Sequence, residues 1–531
     1  MSLFRFVFPV GCSAAALSGL LLLVPVTAGA QLAQNMTVGN AKALALGHAV
    51  TADPPGIDAI HYNPAGLALL QGRQYQFKLV AGLSELTDEV SRAPYLETLL
   101  AETAFEETLE PGTSTTRDPS AMLPFFGLTE LPAILSPLGG VSLTTPDQGY
   151  TFATAVYAPL MVGYRREDNS VSRYQGNQLG FTHLTYFSPS IAWRINDDWY
   201  AGVSFLMSYS GIGVDLDMRV TNEFLGAIES AGRAACDAGS PPEWRDVINL
   251  CEGQFGPFAP IGNLRLEVDN GFNPSLNAGL LWQPSSWFSW GLVYQMEAST
   301  DLEGEYEFRY EPGWVAFFRG LNQSLVGTVI SPLIPQGVEK ESGTARMNFV
   351  LPAHVATGIS VRLYPDWKLN IDIKWTDTAA MDKFVVEFDE SLEFMPALSL
   401  VAPEAVTPRS LEFPLNYQST WSWAAGIEYQ YDDQWVLRGG FEDRPGALPD
   451  NAPNNLAPFG DAWLLGMGVG YRPDEATRWD LGFAYFRSGV SSRASADRLN
   501  DPEVFYNPYA GYDLDSEIRL YLLEISYQTR F

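Results

Sequence analysis

Positive charge is scarce in this sequence. Its 32 Lys and Arg stand against 62 Asp and Glu, a formal net charge of −30 over 531 residues. Nucleic-acid phosphates would be repelled by such a chain, which excludes nucleic acid as a partner. Histidine is rarer still, with only His48, His61, His183 and His354. With no CxxC and no HExxH, an enzyme of the lipase or protease kind is not expected. No cofactor is expected, and the acidic loops leave calcium or another divalent cation open. Cysteine numbers three. Cys236 and Cys251 flank a polar, proline-containing loop and read as one disulfide in an oxidising compartment. Long apolar runs are missing too, with one exception at the start, so no spanning helix is expected elsewhere.

That exception lies in residues 1–30. A single basic residue (Arg5), an apolar run from Leu17 to Val26 and Ala28-Gly29-Ala30 have the order of a secretory signal, with the mature chain expected from near Gln31. An uncleaved anchor is the rival reading. Cys12 does not suit a lipoprotein site, because most of the apolar run follows it.

Aromatics and glycine are abundant (Phe 30, Tyr 24, Trp 14, Gly 47). Together with period-two alternation they predict strands. At the C-terminus Tyr521, Leu523, Ile525, Tyr527 and Phe531 share one face, while Glu524, Ser526, Gln528 and Arg530 share the other. Apolar outward and polar inward suits a strand of a lipid-facing barrel. A soluble sandwich strand alternates in the same way. Short polar turns recur, each followed by an aromatic: Pro146-Asp147-Gln148-Gly149 then Tyr150, Asn196-Asp197-Asp198 then Trp199, Pro284-Ser285-Ser286 then Trp287, Pro365-Asp366 then Trp367, Asp432-Asp433-Gln434 then Trp435, and Asp474 to Arg478 then Trp479. Such turns match the periplasmic side of a barrel and its aromatic girdle. Six turns join twelve strands, and one strand at each end gives about fourteen. The expected fold class is therefore all-β, a transmembrane antiparallel barrel spanning 72–531.

The long segments between the turns then face outside: Glu85 to Ser136, Tyr164 to Gln178, Thr221 to Gly262, Tyr310 to Glu341, Asp389 to Arg409, Asp443 to Pro458 and Ser488 to Asp513. Loops of this length are uncommon unless functional. Trp314, Phe317, Phe318, Leu321 and Leu325 follow helical spacing; Phe224, Leu225 and Ile228 make a shorter stripe. Met122, Leu123, Phe125, Phe126 and Leu128 form a third apolar cluster. These residues either pack the loops together or line a groove for an apolar ligand.

Residues 31–71 lack barrel-strand alternation. They contain Asn63-Pro64-Ala65, where proline forces a bend. Composition leaves open whether this segment sits in the periplasm or fills the lumen.

With these features in view, the chain resembles the FadL/TodX family of outer-membrane transporters for hydrophobic compounds. The resemblance rests on GHAVTADPPGIDAIHYNPA (Gly47 to Ala65), SPSIAWRINDDWY (Ser188 to Tyr200), FNPSLNAGLLWQP (Phe272 to Pro284), MNFVLP (Met347 to Pro352), WKLNIDIKW (Trp367 to Trp375), Trp423 to Gly440, and AWLLGMGVGY (Ala462 to Tyr471). It implies a fourteen-stranded barrel in the bacterial outer membrane, with 31–71 as a plug or hatch inside it. It also implies passive uptake of long-chain fatty acids or other hydrophobic compounds, through a loop groove, a barrel pocket and lateral release into outer-membrane lipid at a kinked third strand. That strand would be Thr151 to Gly163, with Pro159 at the kink and Asn63, Pro64 and Ala65 packed on Tyr157 to Met161. Ending on Phe531 resembles the signal read by the barrel-assembly machinery. Arg219 matches a carboxylate-binding position of the family, with Arg219 to Asp215 or Asp217 as the rival pairing. A second, lysine position falls on Val385, near Lys383. Phe224, Ile228, Trp314, Phe317, Phe318 and Leu321 are the other candidate ligand contacts. An alkane or aromatic substrate on the same fold is one alternative, and a surface adhesin or receptor anchored by its barrel is another.

Overall fold

A computed structural model describes residues 38–531, apart from 104, 220, 222, 237–242, 254–255, 332–333, 397–405, 416, 449–459 and 496–507. The expected leader therefore lies outside the described residues. Among them, no helix is long and apolar enough to cross a membrane. Crossing is done by strands.

Fourteen antiparallel strands form a closed wall. In chain order they are β1 (Arg73–Arg92), β2 (Ile134–Thr144), β3 (Tyr150–Arg165), β4 (Gln178–Phe187 continued by Ser190–Arg194), β5 (Trp199–Arg219), β6 (Pro260–Ser285) and β7 (Phe288–Gln295 continued by Ala298–Tyr310). The second half comprises β8 (Lys340–Leu351 and His354–Tyr364), β9 (Trp367–Thr376 and Lys383–Phe388), β10 (Ser410–Pro414 and Thr420–Gln430), β11 (Trp435–Arg444), β12 (Asp461–Tyr471), β13 (Thr477–Ser492) and β14 (Tyr512–Arg530). Closure is made by β1 on β14, in register from Gln74↔Arg530 to Arg92↔Tyr512. Pairing β1 with β14 leaves neither terminal strand with a free edge to desolvate in lipid.

Alternation decides which face meets lipid. On β14, Tyr521, Leu523 and Ile525 are 41%, 42% and 37% exposed, whereas Glu524 and Ser526 are 2% and 5%. The apolar set faces out and the polar set faces in, the reverse of a soluble core. All six short turns lie at one end of the wall. Their Asn and Asp residues recur for a local reason: Asn196 Oδ1 accepts from the Asp198 and Trp199 amides at 3.0 Å each. Asp432 and Asp474 close their turns in the same way. Aromatics after several of the turns meet a ring on the neighbouring strand, as in Trp435–Tyr471 and Trp479–Tyr527, both with ring centroids 4.4 Å apart.

At the opposite end, the stripe Trp314 to Leu321 forms the helix Pro312–Asn322. The Phe224 to Ile228 stripe begins the helix Glu223–Cys236, which the Cys236–Cys251 disulfide ties down. Met122 to Leu128 instead form a hairpin, Asp118–Leu123 paired with Gly127–Glu130.

Candidate functional site

Residues 38–67 are almost entirely buried, and their hydrogen bonds reach strands all round the wall. Ala41 N donates to Ser526 Oγ on β14 (3.1 Å), and Lys78 Nζ on β1 donates to the Val38 carbonyl (2.8 Å). Val50 N and Thr51 N both donate to Asp372 Oδ2 on β9 at 2.9 Å. Asn277 Nδ2 on β6 donates to the Ile60 carbonyl (3.3 Å), and Gln295 Nε2 on β7 to the His61 carbonyl (2.7 Å).

Three buried ionic clusters fix this segment. Asp58 accepts from Lys78 Nζ (2.6 Å), Asn40 Nδ2 (2.7 Å) and Gln76 Nε2 (2.8 Å). His48 Nδ1 lies 2.8 Å from Glu442 Oε2, and Glu442 also pairs with Lys374 (2.6 Å) and Arg444 (2.7 Å). Asp53 pairs with Lys42 (2.6 Å) and Lys368 (2.5 Å), and Lys368 is joined through Glu428 to Arg438. Removing one partner of the Lys78–Asp58 or Arg444–Glu442 pair, both almost fully buried, costs about 3–5 kcal/mol, because the other charge is left desolvated. The sequence reading missed these residues. Their signal was phase: Asp372, Lys374, Glu442 and Arg444 all occupy the polar, inward positions of their strands.

Asn63-Pro64-Ala65 sits elsewhere than expected. Asn63 Nδ2 donates to the Thr51 carbonyl (2.8 Å) and to the Leu280 carbonyl of β6 (3.1 Å), while Oδ1 accepts from Ala65 N (3.2 Å). The turn presses on two inward glycines. A Cβ at Gly202 of β5 would stand 2.3 Å from Pro64 C, and one at Gly279 of β6 would stand 2.0 Å from Asn63 Oδ1. Only glycine permits that approach. The β3 kink is instead met by the residues before the turn. The His61 ring lies 5.2 Å from that of Tyr157, and Ile57 and Ile60 pack in the same cluster.

The kink itself is built from both sides. Tyr157 pairs with Thr185 and Leu160 with His183, so β3 carries one extra residue across Ala158-Pro159. Opposite, β4 breaks at Ser188-Pro189, and the Ser188 hydroxyl patches the ladder. It accepts from Ala155 N (2.9 Å) and donates to the Ala155 carbonyl (2.8 Å). On the other edge, β3 pairs with β2 only from Thr151↔Thr144 to Val156↔Gly139. Beyond that point residues 134–138 and 157–163 share no ladder. Val156 and Leu135 are exposed on the outer face of the wall beside this unpaired seam. Gly163 lies on the outward face beyond it, against the Ser120 carbonyl.

Apolar side chains connect the external end to the seam. Trp314, Phe317, Phe318 and Leu321 are buried in one cluster with lumen-facing residues of β5 to β9, including Ile212, Leu266, Tyr306 and Phe349. Phe181 joins that cluster to Leu160 and Val162, just past the kink, and its ring lies 4.9 Å from Phe349. Ile228 and Phe317 line a cavity of about 260 Å³ between the loops. Glu229 borders it as well, and burial raises its carboxyl above the usual range. Of the Phe224 side chain nothing is described.

Arg219 is fully buried. Its partner is Glu107, at 3.0 and 3.1 Å, and not Asp215 or Asp217, which accept from Asn263. The Pro508 carbonyl accepts from Nε at 2.6 Å, and the guanidinium stands 4.4 Å from the Tyr174 ring centre. Three loops thus meet on one cation. Lys383 lies on the exposed surface, 2.8 Å from Glu412. Among the described residues, no group of three or more His, Cys, Asp or Glu is placed to hold a metal ion.

Comparison with known proteins adds the remaining observations. Among solved structures, the fold is similar to a Pseudomonas aeruginosa FadL homologue (TM-score 0.62, 17% identity, 93% of this chain and 98% of that one). It is also similar to the Pseudomonas putida toluene transporter TodX (TM-score 0.57, 15% identity, 95% and 98%). A long-chain fatty acid transport protein of Escherichia coli O6:H1 is 23% identical over 297 residues, 55% of this chain. The match spans 56% of that relative's length. The model for "Outer membrane protein transport protein (OMPP1/FadL/TodX)" matches residues 20–531. An outer-membrane β-barrel, this chain belongs to the OMPP1/FadL/TodX family of outer membrane transport proteins.

Proposed function

We propose that the protein carries long-chain fatty acids or related hydrophobic compounds passively across the bacterial outer membrane. A groove among the external loops takes the solute, the apolar upper lumen receives it, and the seam between β2 and β3 releases it into the bilayer. Residues 31–71 act as the plug that bars the straight route to the periplasm. The observation that carries this reading is the coincidence of seam and route. The wall loses its ladder between residues 134–138 and 157–163, where the apolar lining from Trp314 through Phe181 arrives at Leu160. Magnitude favours a lipid exit. Burial stabilises an alkyl chain by about 0.8 kcal/mol per CH₂, so releasing a dozen methylenes to water would cost about 10 kcal/mol.

A neutral hydrocarbon is the second reading, and one observation favours it. Glu107 already balances Arg219, and Glu412 balances Lys383, so neither cation stands ready for a carboxylate. Uptake of labelled fatty acid, alkane and monoaromatic by cells with and without the gene tests both. Faster uptake of any class with the gene is expected, and alkane or aromatic uptake without fatty-acid uptake selects the second. Equal uptake of all three would end the transport reading.

A further inference from the structure

A polar layer interrupts the apolar route. Phe181 of β4 and Ile212 of β5 are ladder partners in the upper lumen, and the next lumen-facing pair toward the periplasm is His183 and Ser210. His183 Nδ1 lies 2.8 Å from Ser210 Oγ, and Asn273 Nδ2 on β6 donates to the same hydroxyl (3.1 Å). Thr185 and Ser208 follow, with their hydroxyl oxygens 2.9 Å apart. All five side chains are buried, and none is Asp, Glu, Lys or Arg. His183 is also the ladder partner of Leu160, so the layer stands beside the kink.

The backbone is irregular wherever it flanks this layer. One extra residue is accommodated on β3 at Ala158-Pro159, on β4 at Tyr186, and on β6 between Asn270 and Asn273. On the outer side the Tyr186 hydroxyl donates to the Gly271 carbonyl (3.1 Å), which fastens one bulge to another. Bulges re-aim side chains and concentrate beside functional sites. Here they bring His183, Ser210 and Asn273 into one chain of hydrogen bonds, and that chain is left open. Asn273 Oδ1 is buried with no partner among the described residues, and the network engages only one ring nitrogen of His183. A buried acceptor without a partner is costly, and a route for purely apolar solutes would be better lined by leucine.

We propose that His183 and Asn273 form a head-group site at the exit, taking the neutral polar end, a hydroxyl or an undissociated carboxyl, of an apolar chain. The inference deepens the uptake reading above and rests on it for the route. The chain lies toward the external end against Phe181, Ile212 and Phe349, and the head reaches the polar layer. An O–H group both donates and accepts, so it can satisfy the Asn273 oxygen and the second nitrogen of His183 together. An ionised carboxylate would lose its water there without gaining a Lys or Arg from the layer.

Binding of tritiated 1-dodecanol and of dodecane to the purified full-length barrel in one micelle system reads the site without any transport step. Comparing the alcohol-to-alkane affinity ratio between variants cancels partition into the micelle. Asn273→Leu and His183→Leu, each checked for a folded barrel by heat-modifiable mobility, are expected to lower that ratio about fivefold, the loss of one hydrogen bond to the head. Asn273→Gln keeps the amide and is expected to lose less. A ratio unchanged in both folded leucine variants overturns the site, and is the result expected if water alone occupies those atoms. On the unaltered barrel, a diazirine placed beside the hydroxyl of the alcohol is expected to label Leu160, Thr185 or Ser208, and labels confined to residues 312–322 overturn the site as well. The shifted ratio together with cells that show no uptake would support the site while contradicting the transport reading.

Discussion

Deleting Pro159 is expected to cut uptake of the preferred apolar substrate by at least about tenfold while leaving binding at the cell surface unchanged. The deletion leaves one residue between Tyr157 and Leu160, matching the single Leu184 between Thr185 and His183, so the bulge closes. With β3 straight, residues 157–163 reach the β2 segment 134–138, which pairs with β1 on its other edge and has no ladder on the β3 side. Closing the ladder removes the lateral exit. A tenfold loss needs only about 1.4 kcal/mol of added barrier, and the cost of a watery exit for a long chain is several times that. Binding among Trp314, Phe317 and Phe318 lies on another part of the chain and should persist. Heat-modifiable mobility separates a folded, closed barrel from one that failed to assemble. A folded deletion variant with full uptake would remove the lateral route.

Gly202→Val is expected to open the lumen. Its side chain would enter the space held by the Pro64 and Ala65 backbone, with Cβ distances of 2.3 and 2.6 Å. Backbone cannot yield as a long side chain does, so the turn must leave its place. Asn63 then loses the Leu280 carbonyl, at a net cost of about 0.5–1.5 kcal/mol, more if the donor stays buried. The ionic clusters at Asp58, Glu442 and Asp53 still hold the rest of the segment, so local displacement is expected ahead of expulsion. Planar-bilayer conductance should rise several-fold over the parent barrel, and large polar antibiotics should enter faster. Parental conductance in a folded variant would show that the turn does not close the lumen.

Local chemistry explains why much of this fold was legible. Asn196, Asp432 and Asp474 cap their own turns within three residues, and each following aromatic marks the membrane boundary. The inward and outward phases of Tyr521 to Arg530 can likewise be read directly from the string. Contacts that depend on closure could not be read. His48 and Glu442 are 394 residues apart, and Arg219 finds Glu107 from 112 away. The nearer acids Asp215 and Asp217 are the natural guess, but Asn263 opposite claims them, and the register shift between Pro260 and Gly262 falls beside Arg219. The family resemblance places the plug turn on the kink, while Gly202 and Gly279 give no sign of their role. A glycine kept free for another backbone looks like any other glycine in a strand.

The central claim is that an apolar solute leaves through the wall. A diazirine-bearing long-chain substrate, photolysed during uptake by outer membranes containing the native barrel, tests it by the positions of the adducts. Labelling at Ile134, Ala158, Leu160 and Met161 is predicted. Adducts at Leu69, Leu70 and Arg472, around the periplasmic mouth, with none at the seam, would contradict it.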